Sequence, residues 1–191
     1  PVPTDLADPD QIDKLVTSTI TEHGRLDGVV ANAGTMVVGT VADTTPENWQ
    51  RAIDVNLTAA FLLAKHAIPH LRQTSGAFVA VGSIAGIRAP KGAAAYAISK
   101  SAIGMLVATI AVEEGANGVR ANAVNPGWVR TEMSDQEMDE FAAHIGSTRE
   151  QAYAEITALI PQQRAADPDE VAAAICWLLG PESSYVNGAS L

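Results

Sequence analysis

The chain predicts a three-layer α/β fold, a doubly wound parallel sheet with helices on both faces. Short apolar runs at 26–31, 77–81 and 119–124 read as buried strands, and helical segments alternate with them. Each run ends in small, polar or conformationally special residues: Asn32-Ala33-Gly34, Gly82-Ser83 and Asn125-Pro126-Gly127. The 191 residues are 47% hydrophobic, enough for one core, with no linker, repeat or low-complexity tract to suggest a second domain.

The elements follow in order. Asp8-Pro9-Asp10 caps an amphipathic helix carried by Ile12, Leu15, Val16 and Ile20 and ending near Gly24. The strand at 26–31 follows. Thr45-Pro46-Glu47 opens a long helix to about residue 73. The second strand, 77–81, leads to a long apolar helix over 94–114, broken at Gly118. After the third strand a polar, helical stretch runs from 134 to 160. Asp167-Pro168-Asp169-Glu170 caps a helix to Leu179, and a last strand is expected from Tyr185.

Composition excludes several functions. With 22 acidic and 12 basic side chains the net charge is −10, which repels nucleic-acid phosphates and anionic lipid. No apolar run is expected to approach the roughly 20 residues of a membrane span, and no membrane partner is expected. The single cysteine, Cys176, reads as a small buried hydrophobe in an apolar stretch, and a reducing cytoplasm is the expected compartment. His23, His66, His70 and His144 are scattered without metal-ligand spacing, so no metal site is expected.

In an open parallel sheet the active site lies beyond the carboxyl ends of the strands. Tyr96 and Lys100, four apart at the start of a helix, share one face. Spacing alone would equally suit a solvated tyrosine and lysine. Position adds weight, because Ser83 sits at the crevice mouth and the loop at 84–95 can fold back toward Tyr96. Oxidising an alcohol needs a base for the hydroxyl proton while hydride leaves to a nicotinamide. A free phenol, with pKa about 10, is too weak an acid for that work at neutral pH. Lowering it by about 2–3 requires roughly 3–4 kcal/mol, and a cation near 4 Å in a partly screened site supplies about 4 kcal/mol. Lys100 is an effect of the right size, and Ser83 would hydrogen-bond the substrate oxygen.

Asn32-Ala-Gly34, Asn56, Ser83, Tyr96-Ala-Ile-Ser-Lys100 and Pro126-Gly127-Trp-Val-Arg-Thr131 occur in an order and spacing that resembles the short-chain dehydrogenase/reductase family, over nearly the whole chain. The resemblance implies a Rossmann-like sheet and NAD or NADP as cofactor. It implies Tyr96 as general acid/base, Lys100 as the cation that lowers its pKa and binds the nicotinamide ribose, and Ser83 as the group that polarises the substrate oxygen. Asn56 would hold the water of a proton relay, although periodicity alone makes it an ordinary polar helix residue. Asn32, Ala33 and Gly34 would line the nucleotide ribose region, and Asp5 with Leu6 would meet the adenine. Pro126 and Gly127 would turn under the nicotinamide, with Val129 and Thr131 holding its carboxamide.

The sequence departs from the family at its start, where Gly-x-x-x-Gly-x-Gly and the strand before it are absent. The resemblance therefore implies that about the first three strands, the adenosine half of the cofactor site, lie outside these residues. The natural protein is then longer, Leu191 falls just inside the last strand, and the residue choosing between NAD and NADP is not here. The strand at 26–31 is expected to be an unpaired apolar edge, so that these residues alone bind dinucleotide poorly and aggregate.

On the substrate side, Trp128, Met133, Met138 and Phe141 with many charges suggest a lid over 131–161, closing on a largely apolar small molecule. A surface helix-turn-helix fits the same pattern. Ile84, Ile87, Pro90 and Trp128 would line the pocket. Excess apolar residues on helices 46–73 and 93–115 (Ala59, Leu62, Leu63; Ile103, Leu106, Val107, Ile110) suggest a helix-to-helix interface of a homo-oligomer, tetramer or dimer. An epimerase or dehydratase on the same scaffold, or a silent nucleotide-binding relative, remain alternatives to an alcohol/ketone oxidoreductase.

Overall fold

The computed structural model describes residues 1–191. It divides into two compact units, Pro1–Asn125 with Ile175–Leu191, and Pro126–Ala174.

In the first unit, α1 (Pro9–His23) begins at Asp8, whose carboxylate accepts from the Asp10 amide 3.0 Å away. β1 (Gly28–Ala31) starts two residues later than the apolar run suggested. The long helix from Pro46 is one continuous run in three pieces: α2 (Pro46–Ile53), a π-helical turn (Asp54–Thr58) and α3 (Ala59–Thr74). The wide turn contains Asn56, and such turns recur at functional sites. β2 (Ala77–Val81), α4 (Ala94–Glu114) and β3 (Arg120–Val124) complete the predicted alternation. The three strands are parallel in the order β1-β2-β3, with Val30 opposite Val79 and Val79 opposite Asn122. Phe78, Ala80, Ile103, Val107, Ile110, Val119 and Leu71 form the core between sheet and helices. The Arg72 guanidinium closes α3 onto α4 through both oxygens of the buried Glu114 carboxylate, at 2.7 and 2.6 Å.

Four sequence expectations need correction. Tyr185 is fully exposed and begins no strand; instead Ala189 to Leu191 run beside β3 through Ala123 and Asn125 backbone bonds and one isolated bridge at Ser190, too short for a strand. Cys176 is exposed, because it lies on the outer side of its helix beside the half-exposed Trp177. The stretch 94–117 is, by length and composition, long and apolar enough to cross a membrane. Part of that apolarity is met locally, since Ile103, Val107 and Ile110 pack into the core, while Ile98, Met105 and Val112 stand exposed. Because they are buried, Ile103, Val107 and Ile110, with the largely buried Ala59, are unavailable to a partner subunit.

Arg120 anchors the returning chain. From β3 it donates to the carbonyls of Leu178 (2.8 Å) and Gly180 (3.1 Å) and to the Ser183 hydroxyl (3.0 Å). These bonds satisfy the carbonyls left free at the end of α7 (Pro168–Leu179).

The second unit resolves the polar stretch into α5 (Glu132–Ile145) and α6 (Arg149–Thr157). Met138, Ala142, Ala152, Tyr153 and Ala165 form its own small core, with Trp128 packed on it. Arg149 grips Asp139 of α5, and the Tyr153 hydroxyl donates to Asp135 at 2.8 Å. Burial, with Asp135 beside it, pushes the Tyr153 phenol up to about 12.

Candidate active site

Lys100 organises the carboxyl end of the sheet. It is 5% exposed, and its Nζ donates to the Val81 carbonyl, at the last residue of β2, over 2.8 Å. Tyr96, one helical turn earlier, presents its ring with the centroid 6.0 Å from Nζ. An ammonium beside the ring favours the charged phenolate over the neutral phenol through its charge.

Two glycines let the backbone come close to this pair. A Cβ at Gly34 would stand 3.2 Å from both Lys100 Nζ and Asn56 Oδ1, so the loop after β1 runs directly against them. A Cβ at Gly86 would stand 2.6 Å from the Ser101 amide nitrogen and 2.7 Å from the Lys100 carbonyl carbon. The short 3₁₀ turn Ile84–Gly86 therefore lies flat on α4 at Lys100. Ser83 caps that turn, its Oγ accepting from the Ala85 amide at 3.1 Å, and is itself nearly buried. The loop at 84–95 thus folds back along α4, and Ser83, Tyr96 and Lys100 occupy one end of the sheet. Ile84 and Ile87 stand exposed beside Ser83.

Asn56 joins the same cluster from the π turn. Its Oδ1 accepts from the Thr35 amide (2.7 Å), and its Nδ2 donates to the Thr35 carbonyl (3.0 Å) and to Ser99 Oγ (3.0 Å). The side chain therefore mimics a strand partner for Thr35, fixing the loop that contains Gly34. Thr35, Gly86 and Ser99 are site-shaping residues absent from the sequence reading; the buried serine between the tyrosine and lysine was the one available signal.

The remaining predicted contacts lie on the loop after β1, near the start of the chain and in the second unit. Asn32 and Ala33 are exposed on the loop after β1, next to Gly34. Asp5 is exposed, its carboxylate accepting from the Ala7 amide at 2.9 Å, with Leu6 half-buried beside it. Pro126, Gly127, Trp128, Val129 and Thr131 belong to the second unit. There Val129 forms a bridge with Ala166, Thr131 caps α5 by accepting from the Ser134 amide, and Trp128 packs on the unit's core.

A nicotinamide dinucleotide fits the residues of the first unit. Lys100 uses one of its three N–H groups on Val81, and a ribose diol is a ligand able to take the others. The Gly34 backbone passes close to the ammonium with no side chain in the way. A parallel sheet with a buried lysine and a tyrosine at its carboxyl edge suits an α/β nucleotide-dependent oxidoreductase.

Comparison with known proteins fixes the family. A family model described as enoyl-(acyl carrier protein) reductase matches residues 1–191. Meso-2,3-butanediol dehydrogenase of Serratia marcescens is 33% identical over 187 residues, 98% of this chain and 70% of that protein. 3beta-hydroxysteroid dehydrogenase 1 of Eggerthella lenta is 33% identical over 192 residues, covering 100% of this chain and 70% of its own length. Among solved structures, NAD+-bound xylitol dehydrogenase superposes with a TM-score of 0.90 at 27% identity, over 98% of this chain and 75% of that one. The chain belongs to the short-chain dehydrogenase/reductase family.

Burial sets a stability consequence. Loss of hydration pushes the Lys100 pKa down to about 8. A lysine depressed in the folded state carries its full cost below about pH 8, and the cost fades as pH rises toward the ordinary value near 10.4. The Lys100→Met protein is therefore expected to be more stable than the parent at pH 7, by about 2 kcal/mol after the lost Val81 bond. The gain should shrink toward pH 10. Urea unfolding at the two pH values checks it; a variant less stable at pH 7, or a pH-independent difference, contradicts it.

Proposed function

We propose that this protein interconverts a secondary alcohol and its ketone with NAD or NADP, Tyr96 exchanging the proton of the substrate oxygen. The observation carrying this reading is the Lys100 ammonium, buried, tethered to Val81 and set beside Tyr96 and Gly34. The nicotinamide, when bound, supplies or accepts the hydride at the carbinol carbon.

In the oxidation direction, the Tyr96 phenolate takes the hydroxyl proton of the alcohol, and in reduction the phenol returns it to the carbonyl oxygen. Lys100 favours the phenolate through its charge and offers its free N–H groups to the ribose. Ser83, held by its place at the start of the 3₁₀ turn, donates to the substrate oxygen as negative charge gathers there. Asn56 fixes the loop at Gly34 and Thr35 so that this side of the site keeps its shape.

The exposed Ile84 and Ile87 beside Ser83 support a largely apolar small-molecule substrate. The named relatives act on a butanediol, a hydroxysteroid and xylitol, a spread consistent with one chemistry and varied pockets.

Assay with NAD+ and NADP+ against a series of secondary alkanols and polyols, followed at 340 nm, tests the reading. Turnover by the full-length protein is expected with the alkanols, falling by about 100-fold or more in Tyr96→Phe and by a comparable factor in Ser83→Ala. Turnover that survives in Tyr96→Phe would refute the role given to the phenol.

A homo-oligomer, dimer or tetramer, is also proposed, through an outer face different from the one the sequence suggested. Ile98, Met105 and Val112 form an exposed stripe along α4, at a seven-residue spacing that keeps them on one side, and Phe61 is half-exposed on α3. Light scattering should find a multiple of the protomer mass for the parent and a smaller mass for Met105→Asp. A monomeric parent overturns it.

A further inference from the structure

We infer that Ser99 is a positioning residue, the link that holds the first turns of α4, and with them Tyr96 and Lys100, against the Asn56–Thr35 loop clamp. For its effect on turnover this rests on the function proposed above.

Ser99 is completely buried. Its Oγ donates to the Tyr96 carbonyl at 2.7 Å and accepts from Asn56 Nδ2 at 3.0 Å. A serine inside a helix that bonds back to a carbonyl of the preceding turn is neutral or slightly destabilising on its own account. Here the same oxygen is the only partner of Asn56 Nδ2 besides the Thr35 carbonyl, so it closes a continuous path: Thr35 backbone, Asn56 amide, Ser99 hydroxyl, Tyr96 carbonyl.

The start of α4 makes that path matter. Its cap residue, Ala93, makes no side-chain cap bond, and the backbone carbonyl of Gly39 takes the Ala94 amide instead. A helix start without a side-chain cap lacks one of its usual anchors. Tyr96 is the third residue of this helix and Lys100 the seventh. Gly86 presses on the helix at Lys100 and Ser101 from the β2 side. Ser99 is the polar tie on the side of the π turn. Without it, Asn56 Nδ2 is left with an unmet N–H in a buried place, and the turn carrying Tyr96 loses its register to Thr35.

The test uses the full chain labelled with 3-fluorotyrosine. The sequence has three tyrosines, and Tyr96→Phe assigns the Tyr96 resonance. In Ser99→Ala, without cofactor or substrate, the Tyr96 fluorine signal should shift or broaden while those of Tyr153 and Tyr185 stay in place. In steady-state assays kcat should fall on the order of tenfold, with KM for the alcohol within about twofold of the parent. Ser99→Cys keeps a group of similar size but a poor acceptor, and should behave like Ser99→Ala. An unmoved Tyr96 signal in Ser99→Ala overturns the inference, as does a Ser99→Cys protein indistinguishable from the parent, which would mean that packing alone matters. A parent with no turnover would sink the functional proposal, while the fluorine signals still decide the positioning role.

Discussion

A positive charge buried without a carboxylate is the constraint around which this end of the molecule is arranged. Lys100 carries its ammonium into a place 5% exposed to solvent, where hydration no longer offsets the charge. What replaces water is a single backbone carbonyl, Val81, at the end of the central strand. That choice fixes the ammonium to the sheet and not to a mobile side chain. A carboxylate partner would hold the charge more firmly and would neutralise the field that the role proposed for Tyr96 requires. The site gives up stability for an unpaired charge, a common trade where chemistry requires a perturbed group.

The surrounding elements reach this point because side chains are missing or small where backbones must meet. Gly34 brings the loop after β1 against Nζ, and Gly86 brings the turn after β2 against the helix backbone. Between them the π turn rotates Asn56 inward, where its amide answers both backbone groups of Thr35. Three segments far apart in sequence are thus held by hydrogen bonds to backbone, a rigid arrangement suited to keeping a proton-transfer distance constant.

Much of this was legible in advance. The helix starts at Asp8 and Thr45 follow from capping chemistry, and the ends of the apolar runs mark the carboxyl ends of β1, β2 and β3. Tyr96 and Lys100 stand out as candidates through their one-turn spacing together with the position of Ser83, and the structure sets them side by side. Periodicity could not show that the helix from Pro46 widens at Asn56, because a π turn leaves no compositional mark. It also misassigned the outer face of α4: a helix apolar on several sides gives no phase, so Ile103, Val107 and Ile110 read as interface when they are core, and Ile98, Met105 and Val112 passed unnoticed. Cys176 and Tyr185 escape prediction for a related reason: apolar composition near the chain's end suggests burial and a strand, but neither residue is buried.

The account turns on the protonation of one side chain. Titration of the lysine side-chain resonances by NMR, with Lys100 assigned through Lys100→Met, measures it directly. The arrangement described here predicts a Lys100 transition at about pH 8. A Lys100 ammonium that titrates above pH 10 like a solvated lysine would contradict the burial on which the site is built.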